Sequence, residues 1–414
     1  MTDFYTPTGL RKDNNNMDLS LTDTQQMYVT TVQRFVKNDI LPHVLEMDRR
    51  HVFPMDLIKT SWEMGIMNIS IPESIKGYHV DVVSAALIIR ELAYGDSGIA
   101  TSAMCNDLAN VVIAQHGTDE QKEAFLRPFV DSPLLSAFCL TEPGAGSDNL
   151  SMTSFISKRD DGKYVLNGSK CFITNASYAS QFTVFCKVGK PSSQLMACVV
   201  VPVPPFVLDK ASPVDGIREI ELASGGKITV GKPEDKLGQR LSNTASVTFE
   251  DVLIEPGQII GDRRLGFKYI IDVLDFARPM IAAIGVGVAK KAFDLTLSYT
   301  KERKQFGQRL CDIPVAREML VQMWKKVELS ELALLKSAIK IQENATDKGM
   351  YSSLAKNEAA EAALFCANEG LHLHGGYGFT NEYEISKLVR DVHIIDIYEG
   401  TREVQNMIIG RELV

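Results

Sequence analysis

The decapeptide DIYEGTREVQ, Asp396 to Gln405, places a single acid, Glu399, between Tyr398 and Gly400, just ahead of a helix start at Thr401. Two readings fit this spacing. An acid before a helix N-terminus is favoured by the positive end of the dipole, with Thr401 as the cap. A carboxylate in a dry cleft can instead act as a general base toward an acidifiable C–H. No Ser/His/Asp grouping, phosphate loop or zinc-type cluster in the sequence competes for a catalytic role. His372 and His374 are two apart, so a helix would send them to different faces, and no metal is expected.

Four further segments bring together ligand-facing residue types. In CLTEPGAGSD, Cys139 to Asp148, proline and glycines force a low loop whose backbone a ligand can approach, with the hydroxyls of Thr141 and Ser147 beside it. The same residues also suit a plain turn. In KCFITNAS, Lys170 to Ser177, Phe172 could offer a flat face to an aromatic cofactor and Thr174 a hydroxyl to a ring nitrogen; an aromatic core position is the alternative. KERKQFGQ, Lys301 to Gln308, sets cations at a helix C-terminus, where Arg303 could either complement the dipole or grip a pyrophosphate. LHLHGGYGFT, Leu371 to Thr380, ends a helix with glycines that allow close passage of a ligand. The loop at 139–148 does not match the dinucleotide fingerprint GxGxxG, and GVGVAK at 285–290 lies inside a helical pattern, which argues against a Rossmann domain.

Three blocks must position these segments. Helical periodicity runs from a Thr22 or Asp23 cap through segments near 55–64, 82–94 and 102–116. Near Ser136 it gives way to short β-rich runs, among them FTVFCKV, ACVVVPV and ASVTFEDV, separated by turn residues. After Gly261 long helical segments return, near 266–301, 315–343, 350–373, 383–393 and 401–412, long enough for an antiparallel bundle. A β module between two helical modules creates junction clefts. The division expected is a tail at 1–17, a helical domain at 18–136, a β domain at 137–260 and a helical bundle at 261–414.

Bulk properties narrow the partners. The 414-residue chain carries a net charge of −8, which disfavours nucleic acid. No apolar run approaches the roughly 18 residues needed to span a bilayer, and the N-terminus lacks an apolar signal core, so a cytoplasmic protein without membrane insertion is expected. Seven scattered cysteines read as reduced thiols.

Taken together and in this order, LTEPGAGSD, FITN, ERKQFGQ, GGYGF and IYEGT make the chain resemble the acyl-CoA dehydrogenase family of flavoproteins, from about residue 18 to the end. The resemblance implies an α+β fold: an N-terminal helical domain, a middle β-barrel or sandwich and a C-terminal four-helix bundle. It implies FAD as cofactor, an acyl-CoA substrate, electron-transfer flavoprotein as acceptor and a homotetramer. The reaction implied is α,β-dehydrogenation to the 2-enoyl-CoA, Glu399 removing the α-proton and flavin N5 accepting the β-hydride. By the same resemblance Phe138, Leu140, Thr141, Gly146, Ser147, Phe172, Thr174, Thr401 and Glu403 contact FAD. Arg303, Phe306, His372, Gly375 and Gly376 reach the FAD of a neighbouring subunit. Ser147, Thr101, Arg278, Tyr398 and Gly400 contact the substrate. Some branches carry the base just before the arginine of VLDFARPM, but that position is Ala277 here.

Two departures stand out. The segment 204–227 is longer than the usual crossing between two strands and is read as an insertion, which keeps open an acyl group tethered to a carrier protein, acted on by a dehydrogenase or oxidase. Asp96 has two readings, a helix-turn role or action on a cyclic substrate.

Overall fold

The computed structural model describes residues 20–414 except 207 and 209–213. The tail expected at 1–17 and part of the expected insertion lie outside the described residues. Thr22 opens the first helix with a reciprocal cap: its hydroxyl accepts from Gln25 N at 3.2 Å, while Gln25 Oε1 accepts from Thr22 N at 3.0 Å. The N-terminal helices are α1 (Asp23–Phe35), α2 (Val44–Arg50), α3 (Met55–Glu63), α4 (Val82–Gly95), α5 (Ser97–His116), α6 (Asp119–Phe125) and α7 (Arg127–Asp131).

Helix α5 starts a full turn before the periodicity indicates, because Asp96 caps it by accepting from Ile99 N at 2.8 Å. It is buried along most of its length, and two of its buried polar side chains dock it to the sheet. Asn106 Oδ1 accepts from Ser136 N at 2.5 Å and Asn110 Oδ1 from the Ser136 hydroxyl at 2.9 Å. These bonds join the helical layer to the first strand of the sheet and satisfy groups that would otherwise be costly to bury.

The strands are β1 (Leu135–Cys139), β2 (Phe155–Lys158), β3 (Tyr164–Thr174), β4 (Ala179–Val188), β5 (Met196–Pro202), β6 (Arg218–Glu221), β7 (Lys227–Val230), β8 (Thr244–Ile254) and β9 (Ile259–Ile260). They form one sheet in the order β6-β7-β8-β3-β2-β4-β5-β9, with β1 parallel to β4. Two runs that read as separate strands, KYVLNG and KCFITN, are one strand, because β3 passes through Asn167 and Gly168 with a register shift rather than a turn. Part of the long segment at 204–227 is also strand. β6 pairs with β7, and Arg218 donates to the carbonyls of Ser177 and Ala179 at 3.2 and 2.9 Å, tying the segment to the start of β4.

Beyond the sheet, α8 (Gly266–Glu302) runs to a two-strand hairpin, β10 (Lys304–Gln305) with β11 (Gln308–Arg309). Then come α9 (Pro314–Gln342), α10 (Lys348–His374), α11 (Glu384–Val392) and α12 (Arg402–Leu413). The GVGVAK stretch is a packing device. A Cβ at Gly285 would lie 2.8 Å from the Ala359 carbonyl of α10, and one at Gly287 would lie 2.3 Å from the Arg90 carbonyl of α4. Glycine lets α8 touch both neighbours at backbone distance. Among the described residues no helix is long and apolar enough to cross a membrane.

Candidate active site

A cavity of about 450 Å³ opens where the sheet meets the C-terminal helices. One wall is Phe138 at the end of β1 and the loop that follows, with Leu140, Thr141, Gly146 and Ser147. Phe172 and Thr174 enter from the end of β3, Arg278 from α8, and Tyr398, Glu399, Gly400 and Thr401 from the turn into α12. Sequence motifs more than 250 residues apart in the chain therefore meet at one junction.

The loop after β1 is fixed by a buried ion pair that its sequence does not announce. Lys170 Nζ lies 2.9 Å from Glu142 Oε1 and donates to the Leu140 carbonyl at 2.9 Å. Glu142 also accepts from Thr153 N and Oγ1 at 2.6 and 2.8 Å and from Ser154 N at 3.0 Å. Burial works against the Glu142 carboxylate, but Lys170 and these donors outweigh it and hold the group at about 2, below the usual carboxylate range.

On the opposite wall the base candidate sits on strained backbone. Glu399 has φ 55° and Gly400 φ 96°. The positive φ at residue 400 favours glycine, and a Cβ there would also push against Gln405 Nε2, 2.4 Å away. Gln405 Nε2 donates to the carbonyls of Glu399 and Gly400, both at 3.0 Å. Thr401 begins α12 as its N-cap, accepting from Val404 N at 3.5 Å. The helix-start reading of the decapeptide is correct for Thr401, while Glu399 is turned into the cavity. Its Oε2 is shielded from solvent and has no hydrogen-bond partner. Burial pushes the carboxyl up to about 7, moderated by the cations Arg278 and Lys356.

Arg278 is buried and gives Nη1 to Asp275 at 2.7 Å, so the local ion pair and the cavity position coexist. Thr101 does not line the cavity; it stands behind Tyr398. Its hydroxyl is 3.0 Å from Gln239 Oε1 and 3.5 Å from the Tyr398 hydroxyl. Asp96 is committed to structure, capping α5 and pairing with Lys387 Nζ at 2.6 Å.

The remaining expected residues lie outside this cavity. Arg303 and Phe306 are exposed around the hairpin after α8, Phe306 with φ 51° and 92% of its surface accessible. His372, Gly375 and Gly376 are exposed at the end of α10, and Glu403 is exposed in the first turn of α12. The Arg303 guanidinium lies 5.4 Å from the Tyr377 ring centroid, so the hairpin and the glycine turn share one surface. His374, by contrast, is buried, stacked on Tyr299 at 4.2 Å, with Nδ1 2.7 Å from the Gly370 carbonyl.

Residues that motif reading missed are mostly apolar wall. Cys105 and Leu108 line the cavity, and their spacing from Thr101 puts all three on one face of α5. That spacing was the available signal. Lys356 was missed as well; it is fully buried, and its Nζ donates to the Gly400 carbonyl at 2.7 Å.

The comparisons agree over most of the chain. Profiles of the acyl-CoA dehydrogenase N-terminal, middle and C-terminal domains match residues 22–132, 137–252 and 264–414. A probable acyl-CoA dehydrogenase of Bacillus subtilis, YngJ, is 36% identical over 405 residues, covering 96% of this chain and 100% of the relative. A short-chain specific acyl-CoA dehydrogenase of Megasphaera elsdenii is 35% identical over 404 residues, with 96% and 100% covered. The solved butyryl-CoA dehydrogenase of Megasphaera elsdenii superposes with a TM-score of 0.86 at 33% identity, covering 96% of this chain and 100% of that one. The chain belongs to the acyl-CoA dehydrogenase family.

Proposed function

We propose that the junction cavity holds FAD and an acyl-CoA thioester together and that Glu399 is the base that removes the α-proton. The observation that carries this reading is the Glu399 carboxyl, whose shielded Oε2 has no hydrogen-bond partner, facing a cavity lined on its other side by Phe172 and Thr174. As a member of its family the chain is an FAD-dependent oxidoreductase acting on CH–CH groups.

The residues fit the cofactor. Phe172 is 68% exposed with φ 58°, an aromatic face turned outward that only a partner would cover. A Cβ built on Gly146 meets nothing within 4 Å, so the loop presents bare backbone to the cavity. Phe138, Leu140, Thr141, Gly146, Ser147, Phe172, Thr174 and Thr401 would hold FAD, which when bound supplies the acceptor for the substrate's β-hydride. Tyr398 and the apolar face of α5 wall the acyl group and keep water out. Gly400 lets the turn approach the substrate, Ser147 contacts it beside the cofactor, and Arg278 keeps a positive charge near the base. Glu399 takes up the α-proton; a carboxyl at about 7 is matched to that work near neutral pH.

The substrate assigned is a short acyl-CoA, and the acceptor an electron-transfer flavoprotein. The chain is proposed to be a cytoplasmic homotetramer. Support for self-association comes from the exposed Phe306 and Phe379, 92% and 86% accessible, beside Arg303 and the Gly375 turn. In that assembly Arg303, Phe306, His372, Gly375 and Gly376 serve the FAD of a neighbour, while Glu403 lies toward the chain's own cofactor.

An anaerobic panel tests the reaction and the substrate together. Butyryl-CoA should bleach the flavin absorbance fast, octanoyl-CoA more slowly and palmitoyl-CoA hardly at all. Bleaching by a carrier-tethered butyryl group alone would overturn the acyl-CoA reading.

A further inference from the structure

The turn that carries Glu399 is held from outside its own segment. Glu399, a non-glycine residue in the left-handed region, costs energy that surrounding contacts must over-determine. Gln405 supplies one side chain, but it belongs to α12, which the turn itself starts. The other comes from α10: Lys356, fully buried, donates Nζ to the Gly400 carbonyl at 2.7 Å. The next residue, Asn357, donates Nδ2 to the Arg402 carbonyl at 3.3 Å and to Asn406 Oδ1 at 2.9 Å, so α10 clasps both the turn and the first turn of α12.

A buried ammonium is an expensive way to hold one carbonyl. A neutral donor would satisfy the same acceptor, so the charge calls for a further reason. Lys356 is faced by Asp396 and Glu399 from the loop, by Arg402 from α12 and by Arg278 from α8. Glu399 is faced by Arg278 from α8, Lys356 from α10, Cys105 from α5 and Tyr398 beside it. Arg278 is partly compensated by Asp275, whereas Lys356 has no comparably close carboxylate among the described ion pairs.

We infer that Lys356 is a positioning residue for the reaction: it fixes the left-handed Glu399–Gly400 turn through the Gly400 carbonyl and places a cation beside the base. This rests on Glu399 being the base. The cation favours the carboxylate and so lowers the pH at which Glu399 is ready to accept a proton, offsetting the burial that keeps the site dry. Burial in turn pushes Lys356 down to about 8, against the pull of Asp396 and Glu399, so the ammonium persists at neutral pH.

The test compares Lys356→Met, Lys356→Gln and Lys356→Arg in the FAD-loaded enzyme. An infrared titration follows the protonated-carboxyl band that Glu399→Gln removes, whose midpoint in the native protein is expected at about 7. Met and Gln should move that midpoint upward by about one pH unit, and the acid limb of kcat with butyryl-CoA should follow it. Arg should restore both toward the native position. If Met does not fold, Gln carries the same comparison with a neutral donor retained. An unmoved midpoint and acid limb in a folded, FAD-loaded Gln or Met variant would sink the proposal, as would an Arg variant indistinguishable from Met. Failure of the base reading is separately visible, as flavin reduction retained by Glu399→Gln.

Discussion

Glu399→Gln should bind FAD and acyl-CoA as the native protein does and lose on the order of 10³-fold in the rate of flavin reduction, the usual contribution of a positioned general base. The amide has nearly the same shape but no basic oxygen to take the α-proton. Rapid anaerobic mixing with butyryl-CoA measures the loss directly, and a rate within tenfold of native would remove Glu399 from the role. The same substitution should act on stability in the opposite sense. The folded protein raises the Glu399 carboxyl from its ordinary value of 4.5 to about 7. Its fold therefore binds the proton more tightly than the unfolded chain, and stability falls as pH rises from about 4.5 through about 7. The glutamine variant lacks that titration, so its melting temperature should exceed the native value at pH 8 and match it more closely at pH 5. A base held in a dry cleft is a local instability retained for chemistry.

Glu142→Gln should be the most damaging change in the cofactor loop, destabilising the protein by about 3–5 kcal/mol, because it leaves the Lys170 ammonium buried without its counter-charge. Lys170 is fully buried and Glu142 is 4% accessible, so neither charge can escape to water. Urea unfolding of the FAD-free protein gives the number; a loss below about 1 kcal/mol, the level of an exposed pair, would show that the site is wet or the pair dispensable. The double variant Glu142→Leu with Lys170→Met should recover much of the stability, since apolar replacement of a buried pair is often neutral. It should not recover FAD affinity, because Thr153 N and Ser154 N lose their acceptor and the loop loses its geometry. Acid supplies the same lesson without mutation. Glu142 is held at about 2, so the stability it contributes is complete above the unfolded value of 4.5 and is lost as pH falls through about 2.

These residues also mark how far the sequence could be read. The β1 loop, the end of β3 and the Glu399 turn were legible because glycine, proline and aromatic residues at fixed spacing have few uses. The long helices were legible from their 3.6-residue period, and the start of the first one to within Thr22 or Asp23. The Glu142–Lys170 pair was not, since its members are 28 residues apart and each looks like a surface charge until the sheet brings them together. The parallel contact of β1 with β4 was equally hidden, because pairing is decided by partners and not by the strand's own pattern. Lys356 lies on the face of α10 with Ala359, Ala360 and Ala363, all buried. A lysine within an otherwise small, apolar stripe was the one available sign that α10 reaches something acidic or polar. The registry of 204–227 failed for a simpler reason: turn residues dominate it, and β6 is only four residues long.

The hairpin after α8 has a consequence for how the protein would behave in dilute solution. Phe306 protrudes with 92% of its surface accessible at the tip of a two-residue turn, beside Arg303. In the assembly proposed above, those side chains complete a neighbour's flavin site, so cofactor retention and subunit association become one linked equilibrium governed by mass action. Dilution then bleeds colour and quaternary structure together, and added FAD protects both.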